Sequence, residues 1–311
     1  MSRPGVPFAV KYPPMRRRRF LSTAALLSLG TSLGAYRGTD RLADARLIRG
    51  KVGYYTNRGG TIGYHLPTGQ GGGVVVDTQF PDAAQAFLDE VFTGSARLDL
   101  LINTHHHGDH TGGNGVVAPL AANYVSHARA RTNLEGSEGD PVPLPTTVFE
   151  KEWEMQLPTG DETVTARHFG PAHTGGDAVI HFENANVAHL GDLLFNRRFP
   201  YIDPGAGGSL TNWAKVMGKI RKTYDRDTVF IFGHAAESYP VTGDREDVAS
   251  FRDYLLALRD YVRKEHKAGT TLEQLKAKTT TIPLAPEWRF GEGLRDVNLE
   301  VMWTELGYAA A

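Results

Sequence analysis

The chain of 311 residues contains no cysteine. That absence removes disulfides, thiolate metal ligands and a cysteine nucleophile, so a metal here must be held by nitrogen and oxygen. An excess of one charge is lacking too: 34 Lys and Arg stand against 35 Asp and Glu, and nothing in that balance suggests nucleic acid as a partner. The glycine cluster Gly69, Gly71, Gly72 and Gly73 has no Gly-Lys-Ser/Thr after it, which argues against a phosphate loop. No low-complexity linker and no repeat at solenoid periods divides the chain. What is present is ordinary: 41% hydrophobic and 22% charged residues, with ample length for a substantial core.

Charge is unevenly placed along the chain. Residues 1–35 carry six basic side chains (Arg3, Lys11, Arg16, Arg17, Arg18, Arg19) and no acidic one. The apolar run of residues 20–30 follows at once; it contains Ser, Thr and Gly and is short for a membrane-spanning helix. A basic stretch followed by a short apolar run reads as a secretory signal, with Met1 or Met15 as the start and Ala35 as a weak cleavage candidate. Arg17-Arg18-Arg19-Phe20-Leu21 resembles the twin-arginine export signal, which implies delivery of a folded protein to the periplasm or cell envelope. The expected organisation is a signal segment at 1–35 and a single domain at 36–311, with no stable membrane span in the mature chain.

Within that domain, short apolar runs alternate with turns from Ile48 to Thr78, as in hairpin strands. Ala83, Ala84, Phe87, Leu88 and Val91 fall at helical spacing, and Leu98-Asp99-Leu100-Leu101-Ile102-Asn103 reads as a mostly buried strand. Further strands are predicted at 164–169, 178–182, 187–190 and 228–232. Val248, Phe251, Tyr254, Leu255, Leu258, Tyr261 and Val262 mark an amphipathic helix. Thr271-Leu272-Glu273-Gln274 has the form of a capping box, and Leu299, Met302 and Leu306 suit a last helix. Strands interleaved with helices give an α/β fold.

The run Thr104-His105-His106-His107-Gly108-Asp109-His110-Thr111 begins where the buried strand ends. Open α/β sheets place their sites beyond the carboxyl ends of strands. Three further candidates share the setting, each beside glycine and just past an apolar run: His173, Asp192 in Gly191-Asp192, and His234 in Gly233-His234. Imidazole and carboxylate together suit zinc, with iron or manganese also open.

The run H-x-H-x-D-H, followed in order by a glycine-flanked His, Gly-Asp and Gly-His, resembles the metallo-β-lactamase-fold hydrolases over nearly the whole mature chain. The resemblance implies a four-layer α-β-β-α sandwich with two Zn2+ ions at one edge. It implies that His105, His107 and His173 bind one metal and Asp109, His110 and His234 the other. Asp192 would bridge them at roughly 3.5–4 Å, the spacing of two-metal hydrolytic sites. The implied reaction is attack of a metal-bound hydroxide on the carbonyl of a small-molecule ester, lactone, thioester or β-lactam, with Asp109 as the catalytic residue orienting the hydroxide. Asp192 stands where the cysteine-bearing zinc β-lactamases have Cys. Gly-Asp is shared with dinuclear thioesterases and lactonases, including hydroxyacylglutathione hydrolases, but the glycine- and cysteine-rich run after that Asp in those enzymes is missing here. Two rival readings are a mononuclear iron persulfide dioxygenase and a metal-binding accessory protein of quinone or sulfur metabolism.

Other residues receive quieter expectations. His106, between two ligands, should turn away from the metals, and His65, His127, His168, His181, His189 and His266 should be structural or exposed. Asp77 ends a buried strand and is expected to bond a ligand histidine. Asn196, Arg197 and Arg198 are candidates for substrate binding, the first toward an oxyanion and the arginines toward a carboxylate. Residues 204–209 read as a mobile loop, a candidate cover for the site.

Overall fold

The computed structural model describes residues 44–92, 97–137 and 141–309. The predicted export segment at 1–35 lies outside them. Seven strands form the first sheet in chain order: β1 (Ala45–Arg49), β2 (Val52–Tyr55), β3 (Ile62–His65), β4 (Gly73–Val76), β5 (Leu98–Asn103), β6 (Tyr124–His127) and β7 (Thr147–Phe149). The hairpin strands β1 to β4 are antiparallel, whereas β4, β5, β6 and β7 run parallel. The second sheet is built from β8 (Glu152–Gln156), β9 (Thr163–Arg167), β10 (Val179–Phe182) and β11 (Val187–His189), and continues after the short strand β12 (Phe195–Asn196). It is completed by β13 (Val229–Ile231), parallel to β11, and β15 (Thr242–Gly243), antiparallel to β13; β14 (His234–Ala235) pairs instead with β12.

Side chains of a strand alternate between its two faces, so each sheet can bury both. In β4, Val74 and Val76 enter one apolar cluster and Val75 another. In β13, Ile231 and Phe230 divide in the same way. The shared cluster lies between the sheets: Val74, Val76, Leu100 and Ile102 from the first meet Val164, Ile180, Val187 and Ile231 from the second. Outside the first sheet, α1 (Pro81–Val91) packs Ala84, Phe87 and Leu88 onto Tyr64, Val75 and Leu101, beside the one-turn helices α2 (Gly108–Thr111) and α3 (Asn114–Val117). Here too α4 (Ala128–Glu135) follows β6, its first turn capped by the His127 ring, which accepts from Arg129 N. Outside the second sheet, α5 (Leu210–Thr223), α6 (Arg245–Lys267), α7 (Leu272–Lys278) and α8 (Glu292–Glu305) share one core built on Trp213, Phe251, Tyr254, Leu275, Trp288 and Met302. The result is the expected α-β-β-α layering.

Two helix starts show how sequence sets these boundaries. Thr271 and Gln274 form the predicted capping box of α7, each side chain satisfying the other's backbone N–H. Asp244 and Asp247 do the same for α6, so that helix begins several residues before its first apolar stripe residue. Among the described residues no helix is long and apolar enough to cross a membrane.

Candidate metal centre

Parallel pairing brings four strand ends to one edge. Asp77 follows β4, His105 follows β5, Asp192 follows β11 and His234 follows the β13 edge, while His173 arrives on the turn between β9 and β10. The first motif is not a plain loop. His107 stands at the start of α2, which carries Asp109 and His110 on a single helical turn. Close packing explains the flanking glycines: a methyl group at Gly233 would land on Asp192 Oδ1, and one at Gly60 on the His110 ring.

Seven side chains converge there as two groups, His105 with His107, His173 and Asp192, and Asp109 with His110 and His234. The carboxylate of Asp192 touches both: Oδ2 lies 3.5 Å from His173 Nε2 and 3.9 Å from His105 Nε2, and Oδ1 lies 2.9 Å from His110 Nε2 and 3.4 Å from His234 Nε2. Asp109 Oδ2 is 3.1 Å from His234 Nε2.

The outward contacts fix which nitrogen of each ring is bare. His110 Nδ1–H donates to Asp77 Oδ2 at 2.8 Å. His105 Nδ1–H donates to the Thr104 hydroxyl at 3.0 Å, and that hydroxyl donates to Asp77 Oδ2 at 2.7 Å. His173 Nδ1–H donates to the Tyr201 carbonyl at 2.9 Å, and His107 Nε2–H to Asp203 Oδ2 at 3.0 Å. Each ring therefore turns a lone pair inward, an assignment that follows from its partners. His105 Nε2, His110 Nε2 and Asp192 Oδ1 are buried there with no hydrogen bond. His107 Nδ1 and His173 Nε2 face each other at 2.9 Å. Bare nitrogens at that range repel, and buried polar atoms without partners are costly; a cation among them relieves both. The donor set thus fits divalent metal.

The two carboxylates also draw protons onto His110 and His234, both raised above the usual imidazole range. Burial alone would raise the Asp192 carboxyl, but His234 and His110 outweigh it and hold it well below the usual carboxylate range. Burial likewise opposes ionised Asp109, which His110 and His234 bring down to about 2. Burial lowers His173 to about 3, whereas at His234 the charge of Asp192 overcomes burial and lifts it to about 9. The site concentrates negative charge that attracts either protons or cations.

Residues 65–234, more than half of the chain, match the family model described as the metallo-beta-lactamase superfamily. The chain belongs to that superfamily. It is 32% identical over 188 residues to a hydroxyacylglutathione hydrolase of Synechococcus sp., covering 58% of this chain and 68% of that one. A hydroxyacylglutathione hydrolase of Synechocystis sp. is 35% identical over 153 residues, 47% of this chain and 54% of the relative. Among solved structures, the sec-alkylsulfatase Pisa1 from Pseudomonas sp. superposes with a TM-score of 0.65 at 14% identity, covering 85% of this chain and 50% of that one. A metallo-beta-lactamase from Pontibacter korlensis gives 0.53 at 17% identity over 68% of this chain and 98% of that one. At such identities these two likenesses speak for the fold alone.

This superfamily member also carries a site residue that sequence reasoning passed over. Asp203 backs His107 and accepts from Ala206 N at 2.9 Å. It lies eleven positions after Asp192, in Asp203-Pro204-Gly205, and reads as an ordinary turn residue. His106, expected to turn away from the metals, stands outside both ligand groups and lines a cleft of about 650 Å3 with His107, its Nε2 3.8 Å from Asp203 Oδ2. Two of the three substrate candidates are engaged elsewhere. The Asn196 amide donates to the Pro240 carbonyl at 2.9 Å, and the Arg197 guanidinium lies 4.6 Å above the Trp288 ring and 3.9 Å from Asp247; Arg198 is held at its backbone by a bridge to Phe290. Residues 204–209, expected to be a mobile cover, are fastened down: Ala206 O accepts from Gly175 N and Asn133, and Ser209 caps α5. The remaining histidines hold structure, His127 against Glu150 O and His189 against Thr61 O.

Proposed function

We propose that this metallo-hydrolase is a dinuclear, dizinc enzyme that attacks the carbonyl of a small ester, lactone, thioester or β-lactam. The observation that carries it is the set of four imidazoles, each anchored outward through one N–H and presenting its bare nitrogen to a shared carboxylate, Asp192. His105, His107 and His173 would hold one ion, Asp109, His110 and His234 the other, and Asp192 both. Two divalent ions, when bound, supply Lewis acidity and lower the pKa of a coordinated water to about 7. The protein's own part is positional. Asp109 is the one carboxylate inside the first motif and, ionised at neutral pH, is suited to accept a proton from the attacking water and to orient it. Two separate donor groups favour this reading over a mononuclear iron dioxygenase. The relatives' name keeps a thioester among the substrates.

The test is a panel of esters, thioesters, lactones and β-lactams assayed before and after chelation. Turnover that chelator removes and zinc restores supports the proposal, and Asp109→Asn should cost ~100-fold or more in kcat, the scale of a lost general base. Turnover untouched by chelator contradicts it. We further propose export by the twin-arginine run. Arg17→Lys with Arg18→Lys should leave the protein in the cytoplasm, and unchanged envelope localisation would reject the idea.

A further inference from the structure

The cleft that His107 shares with the metal centre has largely apolar walls. Phe80, Pro81, Leu134, Pro141, Val142 and Leu144 line it, with His106, His107, Thr111 and Ser137 as polar edges. Its volume of about 650 Å3 is that of a small-molecule site. No lysine or arginine is among the described lining residues, and the one acidic residue among them is Glu135. The Arg58 guanidinium, 5.5 Å over the Phe80 ring, is paired with Asp82 at 2.6 Å, so a substrate carboxylate would meet no cation among the described lining residues and one like charge to repel it. Arg197, close to Asp192 in sequence, is already committed to the Trp288 face and Asp247.

We propose that this cleft takes an uncharged, apolar acyl or alkyl chain, so that the substrate is a neutral ester, thioester or lactone bearing such a chain rather than an anionic conjugate such as a glutathione thioester. The proposal rests on the hydrolase reading for its reacting group, and on the cleft alone for the chain. Apolar walls discriminate by area removed from water: each buried methylene contributes up to roughly fourfold in transition-state binding. Contact with Val142 and Leu144 thereby raises kcat/KM with chain length until the cleft is filled. Glu135 works against anions at the same wall.

The holoenzyme would be assayed on 4-nitrophenyl acetate, butyrate and octanoate and on S-lactoylglutathione. We expect roughly twofold to fourfold per methylene, hence about 50-fold or more between acetate and octanoate. Val142→Arg should cut the octanoate-to-acetate ratio at least about tenfold. Glu135→Lys should raise S-lactoylglutathione relative to octanoate by a similar factor. The ratios cancel losses of metal or folded protein. Calorimetric titration with 1-octanol and 1-butanol adds a readout without turnover: octanol should bind more tightly, with a negative heat-capacity change that Val142→Arg removes. If no substrate is hydrolysed yet octanol binds in this way, the hydrolase reading fails and the cleft assignment stands. A chain-length ratio near one, with octanol no tighter than butanol, overturns the assignment, as does S-lactoylglutathione outpacing octanoate in the unmodified protein.

Discussion

Two aspartates stand behind the histidines of this site and do so from opposite kinds of ground. Asp77, at the end of β4, is fully buried and accepts from His110 Nδ1, the Thr104 hydroxyl and Thr104 N. Its backbone sits at φ 63°, the left-handed region that a non-glycine residue adopts only under constraint. Asp203 comes from a connection, is 22% exposed at its side chain, and holds His107 with help from Ala206 N. One is part of the frame that the sheets fix. The other is a clamp added from outside. The same chemical task, holding an imidazole by its far nitrogen, is therefore bound to folding at one end of the site and nearly free of it at the other.

The largest effect should come from the frame. Asp77→Ala leaves His110, Thr104 N and the Thr104 hydroxyl without their acceptor in a buried setting, and a loss of about 3–5 kcal/mol is expected. Urea denaturation measures it, and a loss under about 1 kcal/mol would erase the distinction drawn here. Acid should also strike the buried side. Burial lowers His189, packed behind Asp77, to about 4, below the ordinary 6.5. The unfolded chain then takes up the proton first, so stability is full above pH 6.5 and is lost as pH falls toward 4, by up to roughly 3 kcal/mol. His189→Gln should flatten that slope. An equal slope in the variant would remove His189 as its source.

At the clamp, Asp203→Ala should keep stability within about 1 kcal/mol and weaken metal affinity by roughly 10–100-fold, as loss of a ligand's outer partner does. Metal competition titration reads this directly, and unaltered affinity would show that His107 needs no clamp. The smallest effect belongs to His106, which lines the cleft and lies near Asp203 without a hydrogen bond to it. His106→Ala should remain within a few-fold of the unmodified protein. Inactivity equal to that of Asp109→Asn at full metal loading would mean that the roles in this motif are wrongly divided.

The two aspartates also differ in how far sequence announces them. Asp77 ends the apolar run Val74-Val75-Val76, so its place at the edge could be read from the strand before it. The glycines beside Asp192 and His234 were legible in the same way, since a side chain at Gly191 would collide with Thr104 and one at Gly233 with the Asp192 carboxylate. Asp203 has no such signal, because its position depends on how the connection after β12 folds back onto the first motif. Leu210, Trp213, Met217 and Ile220 carry the helical spacing of α5, but the glycine-rich stretch just before it reads as a loop and masks that start. Arg197 and Arg198 follow Asp192 closely in sequence, but β12 turns the first of them toward Trp288. Proximity along the chain was a poor guide once a strand intervened.

The central claim is that Asp192 joins two ions. Metal analysis of replete protein and of Asp192→Ala tests it most directly. About two divalent ions per chain in the unmodified protein, falling to one or fewer in the variant, is the predicted result. One tightly held ion, unchanged by Asp192→Ala, would contradict it.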